Sequence, residues 1–310
     1  FTAEAVTVLK IGTLAPASST WGQALAQWSS EVNTKSSGQI SLNVIYNGSQ
    51  GDEGAMASKI RNGQLDGGAF TAVGLSKLST PILTLQMPGI CTSWSQMDTL
   101  LGRTKIKLEQ DAKTAGFTIV GWSDVGVMRV YSKGCLIRTP NDLKTRKPWL
   151  WRDDAALSAF YQALGASPVP ANVPEVLPNL TANSINVVIA PALACEQLQW
   201  SGKFTAVTDY PFGICVGGVV FSSSRLNALP TDLQSLLVKT GAKAMTALSS
   251  KVRSDDSAAY NRLKNKMTLV TLTAAEKTAW DQACDQARIR LGNGPLTPPQ
   301  VARAESITGH

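Results

Sequence analysis

Over the first 125 residues the spacing of apolar positions alternates between two periods. Val6–Thr13 (VTVLKIGT) is dominated by apolar residues and predicts a buried strand. Thr20 then offers an N-cap, and Trp21, Leu25, Trp28 and Val32 recur every three or four positions, as on one face of a helix. Ile40–Tyr46 alternates apolar and polar residues like a half-buried strand. Asn47–Gly48 predicts a turn. Asp52 and Glu53 place negative charge at the start of a helix that carries Met56 and Ile60 and ends at Gly63. Leu65–Phe70 reads as a strand, Ser93–Ala115 as a long helix and Phe117–Trp122 as another strand.

Strands alternating with helices through short Gly/Asn connections indicate an α/β layer with a mostly parallel sheet. The pattern then restarts. Val127–Ser132 and Cys135–Ile137 read as strands, Ala155–Leu164 as a helix stopped by Gly165, and Val187–Ala190 and Ile214–Phe221 as strands. From Pro230 the chain turns helical, with apolar repeats through Leu236, Leu237, Met245 and Leu248. A further helix opens at Thr273–Glu276, which has the form of a capping box, and the Pro-rich tail after Gly292 is expected to be irregular. A length of 310 residues suits two domains. The restart and later return predict two α/β lobes crossed more than once, one from 1–123 and 213–252, the other from 124–212 and 253–310.

Composition narrows the function classes. The chain is 44% hydrophobic and 16% charged, as in an ordinary globular protein, and no apolar run is long enough to span a bilayer. The one histidine is His310, the last residue, so no Ser-His-Asp or Cys-His pair forms from internal residues. Phosphate-loop, dinucleotide, nucleophile-elbow and SxxK signatures are missing. The carboxylate pairs Asp153–Asp154 and Asp255–Asp256 are adjacent, so on a helix they point apart; they read as solvated surface rather than an acid/base couple. Lys+Arg exceed Asp+Glu by 29 − 22 = 7, but the densest basic patch (Lys144, Arg146, Lys147, Arg152) is broken by Trp and Pro, which argues against a nucleic-acid partner. Cysteines 91, 135, 195, 215 and 284 lack metal-site spacing; disulfides and buried thiols both remain open.

Three stretches in order resemble the substrate-binding receptors of TRAP transporters (tripartite ATP-independent periplasmic transporters). They are Ser37–Gly68 (SGQISLNVIYNGSQGDEGAMASKIRNGQLDGG), Thr139–Val176 (TPNDLKTRKPWLW through ALGASPVPANVPEV) and Asn179–Pro191 (NLTANSINVVIAP). The resemblance covers nearly the whole chain. It implies a two-lobed periplasmic-binding-protein fold, each lobe a mixed, mostly parallel sheet flanked by helices, with long C-terminal helices. It implies a small molecule held in the interlobe cleft, delivery to membrane permease subunits, no catalysis and no cofactor. It also implies export to the periplasm, so that a signal peptide is expected to have been removed ahead of Phe1.

Departures from the family pattern bear on the ligand. Most members hold a carboxylate with an arginine in a segment that here reads Thr145–Trp151, and Trp149 stands at the matching position, with Arg146 and Arg152 off register on either side. The second family arginine is matched by Arg129. Thr71, Val173 and Ile189-Ala190-Pro191 stand where relatives place more polar groups. A desolvated carboxylate without a compensating charge is unfavourable, whereas tryptophan faces suit apolar groups and quaternary amines. The expected ligand is therefore apolar, aromatic or cationic, with capture of a carboxylate by Arg129 as the alternative. The expected ligand-binding residues are Glu53, Phe70, Thr71, Trp122, Arg129, Trp149, Trp151, Val173, Ala190, Pro191, Tyr210 and Phe212. Trp149 and Trp151, two apart on a strand, share one face, which is either the cleft or the core. The lost clamp arginine also points to the branch of the family that works with a tetratricopeptide-repeat partner and hydrophobic ligands.

Overall fold

The computed structural model describes residues 6–310. In chain order the first elements are β1 (Thr7–Thr13), α1 (Thr20–Lys35), β2 (Ile40–Ile45), α2 (Glu53–Arg61), β3 (Gly67–Thr71), α3 (Ala72–Leu78), α4 (Trp94–Thr114) and β4 (Phe117–Ser132). There follow β5 (Trp149–Trp151), α5 (Ala155–Leu164), β6 (Val169–Ala171), α6 (Val176–Thr181), β7 (Val187–Pro191), α7 (Ala192–Gln197) and β8 (Ala206–Ser222). The chain closes with α8 (Ser223–Asn227), α9 (Thr231–Lys266), β9 (Thr268–Val270), α10 (Ala274–Gly292) and α11 (Pro298–Thr308). Among the described residues no helix is long and apolar enough to cross a membrane.

The chain divides into two compact units. Unit one holds the chain up to Ser79, Ile106–Asp124 and Val216–Val252; unit two holds Thr80–Lys105, Val125–Cys215 and Arg253–His310. The segment Thr80–Lys105, expected with the first lobe, belongs by its packing to unit two. Its Pro88 carbonyl explains why: it accepts a 2.8 Å hydrogen bond from the buried Arg288 of α10. The strands β4 and β8 and the helices α4 and α9 each contribute one part to each unit.

In unit one β1 pairs in parallel with β2 and β3, and β3 pairs antiparallel with the second half of β8. Helix α1 buries the predicted stripe of Leu25, Trp28 and Val32, while its N-cap is Ser19 rather than Thr20. The Trp28 indole N–H donates to Thr240 Oγ1 of α9 at 3.0 Å, so a large buried ring also has its polar atom satisfied. In unit two the second half of β4 pairs antiparallel with β7, the first residues of β8 pair with β9, and β5 pairs in parallel with β6. Its core gathers Val130, Phe160, Tyr161, Ile189, Phe212 and Trp280.

Three segments differ from the sequence reading. Cys135–Ile137 is irregular; the Ser132 hydroxyl donates to the Cys135 carbonyl and turns the chain out of the sheet. Phe117–Trp122 and Val127–Ser132 fuse into one strand, with Gly126 between them at φ +149, a conformation that favours glycine. The tail holds α11, opened by a Thr297/Gln300 capping box with Pro298 in its first turn, which is where proline is tolerated in a helix.

Candidate functional site

Four of the expected site residues lie in unit one. Glu53 is fully buried at the first turn of α2, where Asp52 caps the helix. Its carboxyl accepts from the Thr71 N–H at 2.8 Å, the Thr71 hydroxyl at 2.7 Å and the Gly74 N–H at 2.8 Å. Thr71 is also the N-cap of α3. Glu53 and Thr71 are thus brought together, but as the lock that fastens the start of α3 to α2. Burial pushes the Glu53 carboxyl up to about 8; its three donors pull the other way and Asp52 adds to the rise. Phe70 is buried where β3 runs so close to β8 that a side-chain carbon on Gly217 would fall 2.2 Å from the Phe70 carbonyl. Trp122 is half-buried and donates its N–H to Glu109 at 2.8 Å.

The other eight lie in unit two. Trp149 is 4% exposed. Its indole N–H donates to the Ala171 carbonyl at 3.0 Å, its ring stacks on Trp151 with centroids 6.2 Å apart, and Trp200 meets it edge-on at 5.4 Å. The Tyr161 hydroxyl donates to the Trp149 carbonyl. Trp149 and Trp151 do share a face, but that face is packed inside unit two. The geometry therefore gives no support to Trp149 as a clamp: its N–H and its neighbouring rings are already engaged. Val173 is buried just beyond β6. Tyr210 and Phe212, expected near the ligand, belong to the aromatic core: Tyr210 stacks on Trp280 and donates to Asp281 at 2.7 Å, and Phe212 meets Phe160 edge-on at 4.9 Å. The flanking Arg146 and Arg152 are on the surface, Arg152 at 4.0 Å from Glu175.

Arg129 is different. It lies on β4 directly opposite Ala190 of β7, and Met128 lies opposite Pro191, so three of the expected residues are brought together. Its guanidinium carbon sits 3.6 Å from the centroid of the Tyr260 ring. The side chain is half-buried, Nε is buried with no hydrogen-bond partner, and among the described residues no carboxylate is in ion-pair contact with it. One turn before Tyr260 on α9, the buried Asp256 accepts from the Val127 N–H at 2.9 Å and the Leu193 N–H at 3.0 Å. It ties the strand bearing Arg129 to the first turn of α7. Burial raises the Asp256 carboxyl, against the pull of those two N–H groups and of Arg129.

Asp256 corrects the reading of both acid pairs as surface. It is buried, and Asp154 caps α5 by accepting from Leu157 at 2.9 Å. Asp256 also shares the buried stripe of α9 with Met245, Leu248, Val252, Ala259 and Leu263, at spacings of three and four. That register was the available signal for it. Nothing comparable flags Tyr260, whose hydroxyl donates to Asp209 at 2.7 Å. Among the described residues no three His, Cys, Asp or Glu side chains gather as metal ligands.

Residues 11–289 match the family model described as bacterial extracellular solute-binding protein, family 7 (DctP). The chain belongs to this DctP family. The 2,3-diketo-L-gulonate-binding periplasmic protein YiaO of Escherichia coli (strain K12) is similar, 22% identical over 264 residues, covering 83% of this chain and 78% of YiaO. Among solved structures, the Bordetella pertussis receptor DctP7, which binds pyroglutamic acid, aligns with TM-score 0.89 at 16% identity over 98% of this chain and 100% of its own. The galactonate complex of DctPAm from Advenella mimigardefordensis aligns with TM-score 0.90 at 15% identity over 98% of each chain. At these identities the structural likeness speaks for the fold. Membership makes this DctP protein a bacterial extracellular solute-binding protein rather than an enzyme.

Proposed function

We propose that this DctP protein is a periplasmic receptor that captures a small organic acid through Arg129 and delivers it to TRAP membrane permease subunits. The observation that carries the reading is the state of Arg129: a half-buried guanidinium, ordered on an aromatic ring, with no carboxylate of the protein neutralising it by direct contact. A guanidinium offers a planar fork of N–H donors that fits a carboxylate. The ligands named for the three similar proteins, 2,3-diketo-L-gulonate, pyroglutamic acid and galactonate, are all acids, which supports the same class here. The engagement of Trp149 inside unit two removes the main reason for favouring an apolar or cationic ligand.

Thermal unfolding with a ligand panel tests this. A ligand at 100 times its Kd stabilises by about 2.7 kcal/mol. Sugar acids, hydroxy acids and dicarboxylates are expected to raise Tm by several degrees, and the matching neutral sugars and alcohols to leave it unchanged. Large shifts with aromatic amines or quaternary ammonium compounds, and none with acids, would overturn the reading and return the tryptophans to consideration.

A further inference from the structure

We propose that Tyr260 is the positioning residue that sets the orientation of the Arg129 guanidinium, with Asp209 fixing the tyrosine; the part played in acid binding rests on the function proposed above. The Tyr260 ring lies 3.6 Å from the guanidinium carbon, close enough to hold the cation flat against it, since the ring face carries the negative end of the aromatic quadrupole. The ring is itself anchored at its far end, where the phenol donates to Asp209 Oδ1 at 2.7 Å. Lys264, one turn further along α9, stands 5.4 Å from the same ring. One turn the other way, Asp256 holds Val127, two residues before Arg129 on β4. Residues 256, 260 and 264 of α9 thus form one row, in which Asp256 holds the strand and Tyr260 the Arg129 cation, with Lys264 beside the same ring.

The ionisable groups around Arg129 are Asp256, Tyr260 and Tyr131, and burial raises all three above their ordinary values. Asp256 has both carboxyl oxygens occupied by backbone N–H groups. The phenol of Tyr260 donates to Asp209 while its oxygen also interacts with Arg129, so it is the Tyr260 side chain, chiefly its ring face, that fixes the plane of the guanidinium. A guanidinium that rotates freely loses the two-point grip on a carboxylate that its fork makes available.

The test uses the full chain and two readouts. Without ligand, the Arg129 Nε–H resonance is measured by NMR in wild type, Tyr260→Phe and Tyr260→Leu. The ring-current displacement is expected in wild type and Tyr260→Phe, and its loss in Tyr260→Leu. With ligand, galactonate, pyroglutamate and succinate are titrated calorimetrically, together with Arg129→Lys and Arg129→Met. Tyr260→Leu is expected to weaken the tightest acid by about tenfold, Tyr260→Phe by about threefold or less, and Tyr260→Leu to add nothing in the Arg129→Met background. Thermal unfolding confirms that each variant is folded at the temperature of titration. An unshifted wild-type resonance, or Tyr260→Leu binding like wild type while Arg129→Met does not bind, overturns the positioning role alone. Acid binding untouched by Arg129→Met, or no binding of any of the three acids, overturns the functional reading, and the NMR arm still decides the position of the ring.

Discussion

Truncating Trp149 separates a packing role from a ligand-gripping one. In Trp149→Ala the neighbours of the indole, Trp151 and Trp200, lose a stacked and an edge-on partner. Removing a buried tryptophan side chain costs about 3–5 kcal/mol, and two aromatic pairs place this site toward the upper end. The lost N–H bond adds little, because the Ala171 carbonyl still accepts from the Arg152 N–H at 3.3 Å. For a chain of 310 residues about 4 kcal/mol corresponds to a fall in Tm of about 6 °C. Scanning calorimetry reads the fall, and titration calorimetry at 15 °C, well below the transition, reads acid affinity, expected within about threefold of wild type. Trp149→Phe, which keeps a ring, is expected to lose less than half as much stability. A Tm within 3 °C of wild type together with abolished binding would refute the packing assignment and restore Trp149 to the ligand.

Three further outcomes are expected. The folded Glu53 carboxyl lies above its ordinary 4.5, so its contribution to stability is complete below pH 4.5 and is lost as pH rises through about 8. Across that window the Tm of wild type is expected to fall more steeply than that of Glu53→Gln; parallel profiles would contradict this. Asp256→Ala leaves the Val127 and Leu193 N–H groups without their acceptor, which is expected to cost about 2–4 kcal/mol in urea unfolding, against less than 1 kcal/mol if the carboxyl were merely solvated. None of the five cysteines is in a disulfide, and burial pushes the Cys91 and Cys284 thiols up to about 12. Ellman's reagent is therefore expected to titrate five thiols in the denatured chain and to find at most the half-buried Cys135 within minutes in the native one; fewer than five after denaturation would mean a disulfide.

The elements with strong periodicity were legible in the sequence. The stripe of α1, the alternation in β2 and the capping box of α10 each specify their element locally. What was not legible depended on tertiary packing. Pro298 looked like a tail residue because its partner signal, the Thr297/Gln300 box, reads as ordinary polar chain until the helix after it is known. The shared face of Trp149 and Trp151 followed from strand geometry, but a strand of three residues carries no pattern to say which side is covered, and Trp200, 51 residues beyond Trp149, settles that. Tyr210 and Phe212 lay beyond the predicted start of their strand; β8 in fact begins at Ala206, which carries both into the core around Trp280. Arg129 stood out by its match to the family pattern, whereas Tyr260 had no sequence signal, since only the packing of α9 on β4 brings the ring to the guanidinium.

The most direct test of the account is the charge and shape of the group at position 129. Titration calorimetry with the acid that most raises Tm compares wild type, Arg129→Lys and Arg129→Met. A lysine keeps the charge without the fork, so the expected order is wild type tightest, Arg129→Lys weaker by about tenfold and Arg129→Met by a hundredfold or more. Equal affinities for all three would show that the solute is held elsewhere.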